Sequence, residues 1–271
     1  KKKKKEEEKG EEGKDAKPKE DPKAKFDEML LKARAAAILN YVSTLKGDEL
    51  KEALPRLKEL KESTDLKSAD EKIVKEVIEA EIKAHAVLED HAAVIAAADE
   101  YVRLINPTEL AAFFGVNRSD DDDKAETKAK EKDRKGVIAA LTAKAKAVVD
   151  QLTKAVETAN KGKAEGETIT LSDLAKDQKE GFVKALKELK RWTNVKKDKK
   201  VLSPLILFEH KLNGCYGKAL SHVSEHIASN PRDKAMLATR SELLKVLGWT
   251  EWIPYYETSS RINFPYAYRT H

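Results

Sequence analysis

One run, Glu71-Lys-Ile-Val-Lys-Glu-Val-Ile-Glu-Ala-Glu-Ile-Lys-Ala-His-Ala-Val87, shows most clearly how this chain folds. Its apolar residues recur at steps of three and four, which is the spacing of one face of an α-helix. The capping-box pattern Ser68-Ala-Asp-Glu71 opens the helix. The helical pattern continues to Ile105, with a break expected near Asp90. Asn106-Pro107 ends it, because proline lacks a backbone N–H and disfavours helix in the residue before it.

The same periodicity recurs on both sides of this run and predicts further helices. The predicted helix over residues 49–60 contains Pro55, so we expect this helix either to kink there or to restart with Pro55 in its first turn. No segment alternates at period two for long, which argues against a sheet. The remaining predicted helices cover residues 26–45, 49–60, 108–114, 125–159, 171–192, 199–212, 216–228 and 232–247.

A weak internal repeat indicates how the helices are arranged. The segments Ala97–Pro107 and Ala219–Pro231 both place small residues early in a helix, then an Asn-Pro stop, then another helix. Helix pairs of this kind resemble tetratricopeptide-type arrays, although the full consensus is absent. We therefore predict an all-α fold in which antiparallel helix pairs stack as a tetratricopeptide-like array.

The composition divides the predicted array into four parts. Residues 1–25 have almost nothing to bury and are predicted to be a charged, disordered linker. Residues 26–115 form a helical subdomain, and residues 116–167 comprise an acidic loop, the long helix and a flexible hinge. Residues 168–271 form a C-terminal helical subdomain with an aromatic tail. The acidic run within 119–123 lacks the alternating ligands of a calcium loop and is interpreted as solvated, with its role left open.

Bulk charge and cysteine content limit the classes of partner. The chain has 53 basic and 48 acidic residues, a formal net charge of +5, and its charges interleave along the helices. That pattern is typical of solvated helix faces and does not predict a nucleic-acid partner. No apolar run approaches the ~20 residues that span a bilayer, so no membrane partner is predicted. Cys215 is the single cysteine, which fits a reducing compartment and a cytoplasmic location.

One short motif could carry chemistry. The residues His222-Val-Ser-Glu225-His226 fit H-x-x-E-H, in which two histidines one helical turn apart bind zinc and the glutamate acts as a base. A third ligand would have to come from Glu242 or Glu251, and neither has a supporting context. The preferred interpretation is an exposed helix face with two titratable histidines. We predict no active site and no cofactor in this chain.

The second half of the chain concentrates its aromatic residues. Aromatic side chains at this density usually pack in a core or against a partner. Packing between helices is the preferred interpretation, and docking of another subunit is the alternative. The residues concerned are Trp192, Trp249, Trp252, Tyr255 and Tyr256.

Several motifs resemble the C-terminal end of tripeptidyl peptidase II. They are Trp192-Thr-Asn, Lys200-Val-Leu, His210-Lys-Leu-Asn-Gly-Cys-Tyr-Gly-Lys-Ala-Leu220, Leu244-Lys-Val-Leu-Gly-Trp-Thr250 and the Tyr- and Pro-rich ending. The resemblance extends loosely over residues 26–271, and a charged insert at 118–135 departs from it. That family is a cytosolic subtilisin-type serine exopeptidase that releases tripeptides from the N-termini of oligopeptides and assembles into very large homo-oligomers. No residue of this chain matches the catalytic-triad motifs of that family.

Three functional hypotheses follow. The resemblance implies a non-catalytic helical domain that serves assembly. Its partners would be other copies of the chain and the catalytic domain of the same polypeptide. Oligopeptide substrates would bind to that catalytic domain and involve this chain only indirectly. The second hypothesis is a free-standing helical-repeat adaptor that binds peptides or proteins in a concave groove. The third is a zinc peptidase that uses His222, Glu225 and His226.

Overall fold

The computed structural model of this protein describes residues 22–63, 71–115, 124–164, 167–193 and 198–254. These residues form ten α-helices with three short 3₁₀ turns and no strand, which confirms the predicted all-α fold. Within these ranges no helix combines the length and the apolar character needed to span a bilayer. The helices are α1 Pro22–Thr44, α2 Leu50–Glu62, α3 Glu71–Val87, α4 His91–Leu104, α5 Pro107–Gly115, α6 Lys124–Asn160, α7 Lys176–Trp192, α8 Lys199–Leu212, α9 Tyr216–Ser229 and α10 Lys234–Val246.

The helices pack mainly on their neighbours along the chain. Helix α6 lies between α4 and α7, α3 packs on α2 and α4, and α9 packs on α8 and α10. The buried apolar residues form three clusters, the first across α1 to α3, the central one across α3 to α8, and the last across α8 to α10. Val74 of α3 contacts the first two clusters, and α8 contributes Leu205 to the central cluster and Leu207 to the last. The three clusters are therefore consecutive along the chain, and neighbouring clusters meet at a shared helix, α3 or α8.

The predicted subdomain boundaries do not coincide with these clusters. The divisions at 115/116 and 167/168 both fall within the central cluster, which joins Leu110 of α5, Leu141 of α6 and Phe182 of α7. Hydrogen bonds join the two ends of the segment that was predicted to be a flexible hinge. The Asn160 side chain accepts the Ile169 N–H at 2.7 Å and donates to the Ile169 carbonyl at 2.7 Å.

Helix α1 begins earlier than predicted. Residues 22–25, assigned from the sequence to a disordered linker, belong to α1, and Pro22 suits a first helical position because its missing N–H has no helical partner there. Residues 1–21 lie outside the described residues, as do the capping-box residues 68–70 and the acidic run at 119–123.

Two helices differ from the prediction in their interior. Helix α2 does not restart at Pro55 but runs through it from Leu50 to Glu62. The predicted helix 171–192 is instead a 3₁₀ turn followed by α7, with Leu174 extended at ψ 144° between them. The Asp173 carboxylate, which accepts the Thr170 N–H at 2.7 Å, stabilises that turn.

The contact between α4 and α6 depends on a glycine in the middle of the long helix. The Tyr101 ring, which is 2% exposed, lies against Gly136, and a Cβ atom there would be 2.8 Å from Tyr101 Cζ. Tyr101 Oη donates a hydrogen bond to Glu79 Oε1 of α3 at 2.8 Å. Burial, reinforced by Glu79, raises the pKa of Tyr101 far above its usual value. Helices α3, α4 and α6 are thus joined at one buried phenol.

Candidate functional site

A groove of about 1140 Å³ lies among α4, α5, α6 and α7, and we call it the α4–α7 groove. Helix α6 packs between α4 and α7, so it forms the floor and the other two form the walls. The apolar part of its lining consists of Val102, Pro107, Ala111, Leu141 and Trp192. A concave, partly apolar surface with a few charged groups is the usual form of a binding site.

A partly buried lysine joins the two walls to the floor. Lys144 of α6 donates to Asp99 Oδ1 of α4 at 2.7 Å and to Glu188 Oε2 of α7 at 3.1 Å, and its side chain is 13% exposed. Burial alone would lower the pKa of Lys144, but the two carboxylates outweigh it and the pKa is raised. Lys144 therefore stays charged and occupies both carboxylates of the groove.

Trp192 lies at the C-terminal end of α7, half-buried against the central cluster and lining the groove. Its backbone carbonyl accepts a hydrogen bond from Arg134 Nη2 of α6 at 3.2 Å. Arg134 Nη1 also lies 3.7 Å from Glu131 Oε2. A cation at the free carbonyls of a helix end is favourable, so Arg134 has a structural role in holding α7.

Two further arginines line the groove without a carboxylate partner among the described residues. Arg103 of α4 is exposed, and its Nε donates to the Asp99 carbonyl of its own helix at 3.3 Å. Arg191 of α7 is also exposed, on the opposite wall. Two guanidinium groups are therefore available to a ligand in the groove.

The other predicted aromatic residues lie elsewhere. Trp249 is half-buried against the last cluster, and its N–H donates to the Leu244 carbonyl at 2.8 Å. Trp252, in the 3₁₀ turn that follows, is 37% exposed. Tyr255 and Tyr256 lie outside the described residues. Trp192 and Trp249 thus pack on different clusters of the core.

The two histidines of the H-x-x-E-H motif on α9 have different hydrogen-bond partners. His222 Nε2 lies 2.7 Å from Ser203 Oγ and 3.1 Å from the Ser203 carbonyl oxygen of α8. His226 Nε2 lies 3.0 Å from Asp233 Oδ2, and Glu225 is exposed. Across the described ranges, no three His, Cys, Asp or Glu side chains are grouped to hold a metal ion.

The two histidines are structural, and this also corrects the expectation of an exposed face. Both are partly buried, and they link α9 to α8 and to the start of α10. Burial lowers the pKa of His222, although the Ser203 carbonyl and Glu225 act in the opposite direction. Asp233 also accepts the Met236 N–H at 3.1 Å and so caps α10.

A second exposed feature lies at the start of α1. Phe26, Met29 and Leu30 are 60%, 58% and 60% exposed, and their spacing places them on one side of the helix. We call them the α1 stripe. The apolar periodicity of the predicted helix 26–45 includes these residues, and the structure shows that burial begins further along α1, at Leu31 and Ala35.

The two arginines that line the groove, and the lysine that joins its walls, could not be identified from the sequence. Arg103, Arg191 and Lys144 are three of 53 basic residues, and nothing in their local sequence distinguishes them. The packing of another helix on α6 could have been predicted, because a glycine inside a long helical pattern, here Gly136, indicates close approach of another side chain.

Comparison with known proteins gives one local similarity. Over 181 residues the chain is 29% identical to a protein named tripeptidyl-peptidase 2 from Arabidopsis thaliana. The aligned region takes in 65% of this chain and 12% of that relative, so the chain corresponds to about an eighth of its length. No family model matches the chain, and no solved structure matches it. Over about two thirds of its length, the chain is therefore similar to one small part of tripeptidyl-peptidase 2.

Proposed function

We propose that this chain is a non-catalytic, helical assembly segment of a protease that resembles tripeptidyl-peptidase 2. The observation that carries the proposal is the local similarity, which takes in 12% of the relative's length. The catalytic domain, which would release tripeptides from the N-termini of oligopeptides, would then lie elsewhere in the same polypeptide. The interactions of His222 and His226 support this role, because both side chains serve contacts between helices.

The α1 stripe is the surface that we assign to self-association, with a second copy of this chain as its partner. Its three side chains are large, apolar and about 60% exposed. Burying the exposed part of each against another copy would contribute about 1 to 2 kcal/mol. Exposed apolar side chains grouped on one face commonly mark a protein interface.

The test compares the molar mass of two variants by light scattering over a range of concentrations. We expect the chain to self-associate and the variant Phe26→Ser/Met29→Ser/Leu30→Ser to remain monomeric with unchanged helix content. The matched control is Val87→Ser, which removes an apolar side chain that is 55% exposed at the end of α3. Equal association by the triple variant and the wild type would refute the assignment.

A free-standing adaptor is the second candidate, and the α4–α7 groove is the observation that favours it. An adaptor would remain a monomer at all concentrations and would bind its partner through the groove. The light-scattering series therefore separates the two candidates, because only the assembly role requires association between copies.

A further inference from the structure

We infer that the α4–α7 groove binds an acidic peptide segment of a partner protein, with an aliphatic or aromatic side chain of that peptide against Trp192. This site is separate from the α1 stripe and does not depend on the assembly role proposed above. The segment would lie along α6 with its carboxylates toward the two walls.

The groove is formed before any ligand arrives. Lys144 joins Asp99 and Glu188 across the floor at 2.7 and 3.1 Å, and Arg134 holds the end of α7 through the Trp192 carbonyl. A ligand would therefore spend little binding free energy on ordering the walls.

The distribution of charge selects the ligand. Asp99 and Glu188 are both occupied by Lys144, whereas Arg103 and Arg191 have no carboxylate partner among the described residues. The two arginines belong to different walls, Arg103 to α4 and Arg191 to α7. A guanidinium forms bidentate hydrogen bonds with a carboxylate, so a peptide with two acidic residues matches this pair.

Residues of both walls and of the floor supply the apolar contact. Trp192 is half-buried and Val102 is partly buried, and both line the groove with the fully buried Leu141. A large apolar side chain placed on Trp192 would be the anchor of the peptide.

The experiment uses the full chain and a fluorescein-labelled peptide, acetyl-Glu-Glu-Leu-Phe-Glu-Glu-amide, in an anisotropy titration at low salt. The matched probe replaces every Glu by Gln. We expect the acidic peptide to bind and the Gln peptide to bind at least about tenfold more weakly. The variant Arg103→Gln/Arg191→Gln should weaken binding of the acidic peptide by a similar factor. The control Arg232→Gln, an exposed arginine outside the groove, should change it by less than about twofold.

A second readout reports on the apolar contact at Trp192 directly. In a Trp249→Phe/Trp252→Phe chain, Trp192 is the remaining tryptophan, and its emission should shift when the acidic peptide is added. Failure of the peptide to bind would overturn the inference, as would equal binding by the Arg103→Gln/Arg191→Gln variant. A single-stranded RNA oligonucleotide that displaces the peptide, or loss of self-association in the double-arginine variant, would also overturn it by assigning the groove to another occupant.

Discussion

Replacing Gly136 by alanine tests how α4 packs on α6. A Cβ atom at this position would lie 2.8 Å from Tyr101 Cζ and 3.1 Å from Cε1, both inside van der Waals contact. The Tyr101 ring is 2% exposed and its hydroxyl is bonded to Glu79. The ring therefore cannot move away without breaking that hydrogen bond or separating the helices.

The expected destabilisation is the balance of three contributions. Overpacking a core costs about 1 to 3 kcal/mol, and a buried hydroxyl that loses its acceptor costs about 1 to 3 kcal/mol. Alanine in a helix interior recovers about 0.5 to 1 kcal/mol relative to glycine. We therefore expect Gly136→Ala to lower the free energy of unfolding by about 2 to 4 kcal/mol, a large fraction of a typical total.

The assay is urea unfolding followed by circular dichroism, with Gly181→Ala as the matched control. Gly181 lies inside α7, and the nearest side-chain atom to its added Cβ is Val148 Cγ1 at 4.0 Å. The control should stabilise the chain by about 0.5 to 1 kcal/mol. Combining Gly136→Ala with Tyr101→Phe should recover part of the loss, because the phenylalanine lacks the atom that meets Cβ first. If Gly136→Ala were as stable as the wild type, the described contact between α4 and α6 would be wrong.

Three further predictions concern charge and metal. Lys144→Met should lower the free energy of unfolding by about 2 to 3 kcal/mol, because it leaves the Asp99 and Glu188 carboxylates without their shared cation. The control Lys184→Met removes an exposed ion pair with Glu180 and should lower it by less than about 0.5 kcal/mol. Burial holds the pKa of His222 below 6.5 in the folded chain, so the unfolded chain binds more protons than the folded chain does. The free energy of unfolding should therefore fall as the pH is lowered from about 7 to about 5. His222→Gln should reduce that slope, and an unchanged slope would refute the described burial. Excess zinc should leave the melting temperature unchanged, and stoichiometric bound zinc would contradict the contacts made by Ser203 and Asp233.

Helix bounds could be predicted from the sequence where the stop signals are local. Helices α8 and α9 were predicted over 199–212 and 216–228 and are found at Lys199–Leu212 and Tyr216–Ser229. Gly214 separates them, and its φ of +69° is a conformation that glycine adopts without steric cost. The prediction for 171–192 was wrong because the Thr170 N–H donates a hydrogen bond to the Asp173 carboxylate, which favours a separate turn.

The sequence was less informative about which residues contact each other in the tertiary structure. Periodicity correctly assigned an apolar face to α1, but it does not show where another helix covers that face, and Phe26, Met29 and Leu30 are exposed. Lys144 contacts residues 45 and 44 positions away in the chain, and no local pattern encodes such a pairing. The H-x-x-E-H spacing on α9 is real, yet tertiary contacts with Ser203 and Asp233 decide what the two histidines do.

Under the proposed function, this chain associates with other copies of itself and carries no peptidase activity of its own. Sedimentation velocity over a concentration series, with tripeptide release from an oligopeptide measured on the same fractions, tests both parts together. The account predicts species heavier than the 30.3 kDa monomer that grow with concentration, and no tripeptide release in any fraction. A 30.3 kDa species at every concentration, or tripeptide release that follows the protein peak, would contradict it.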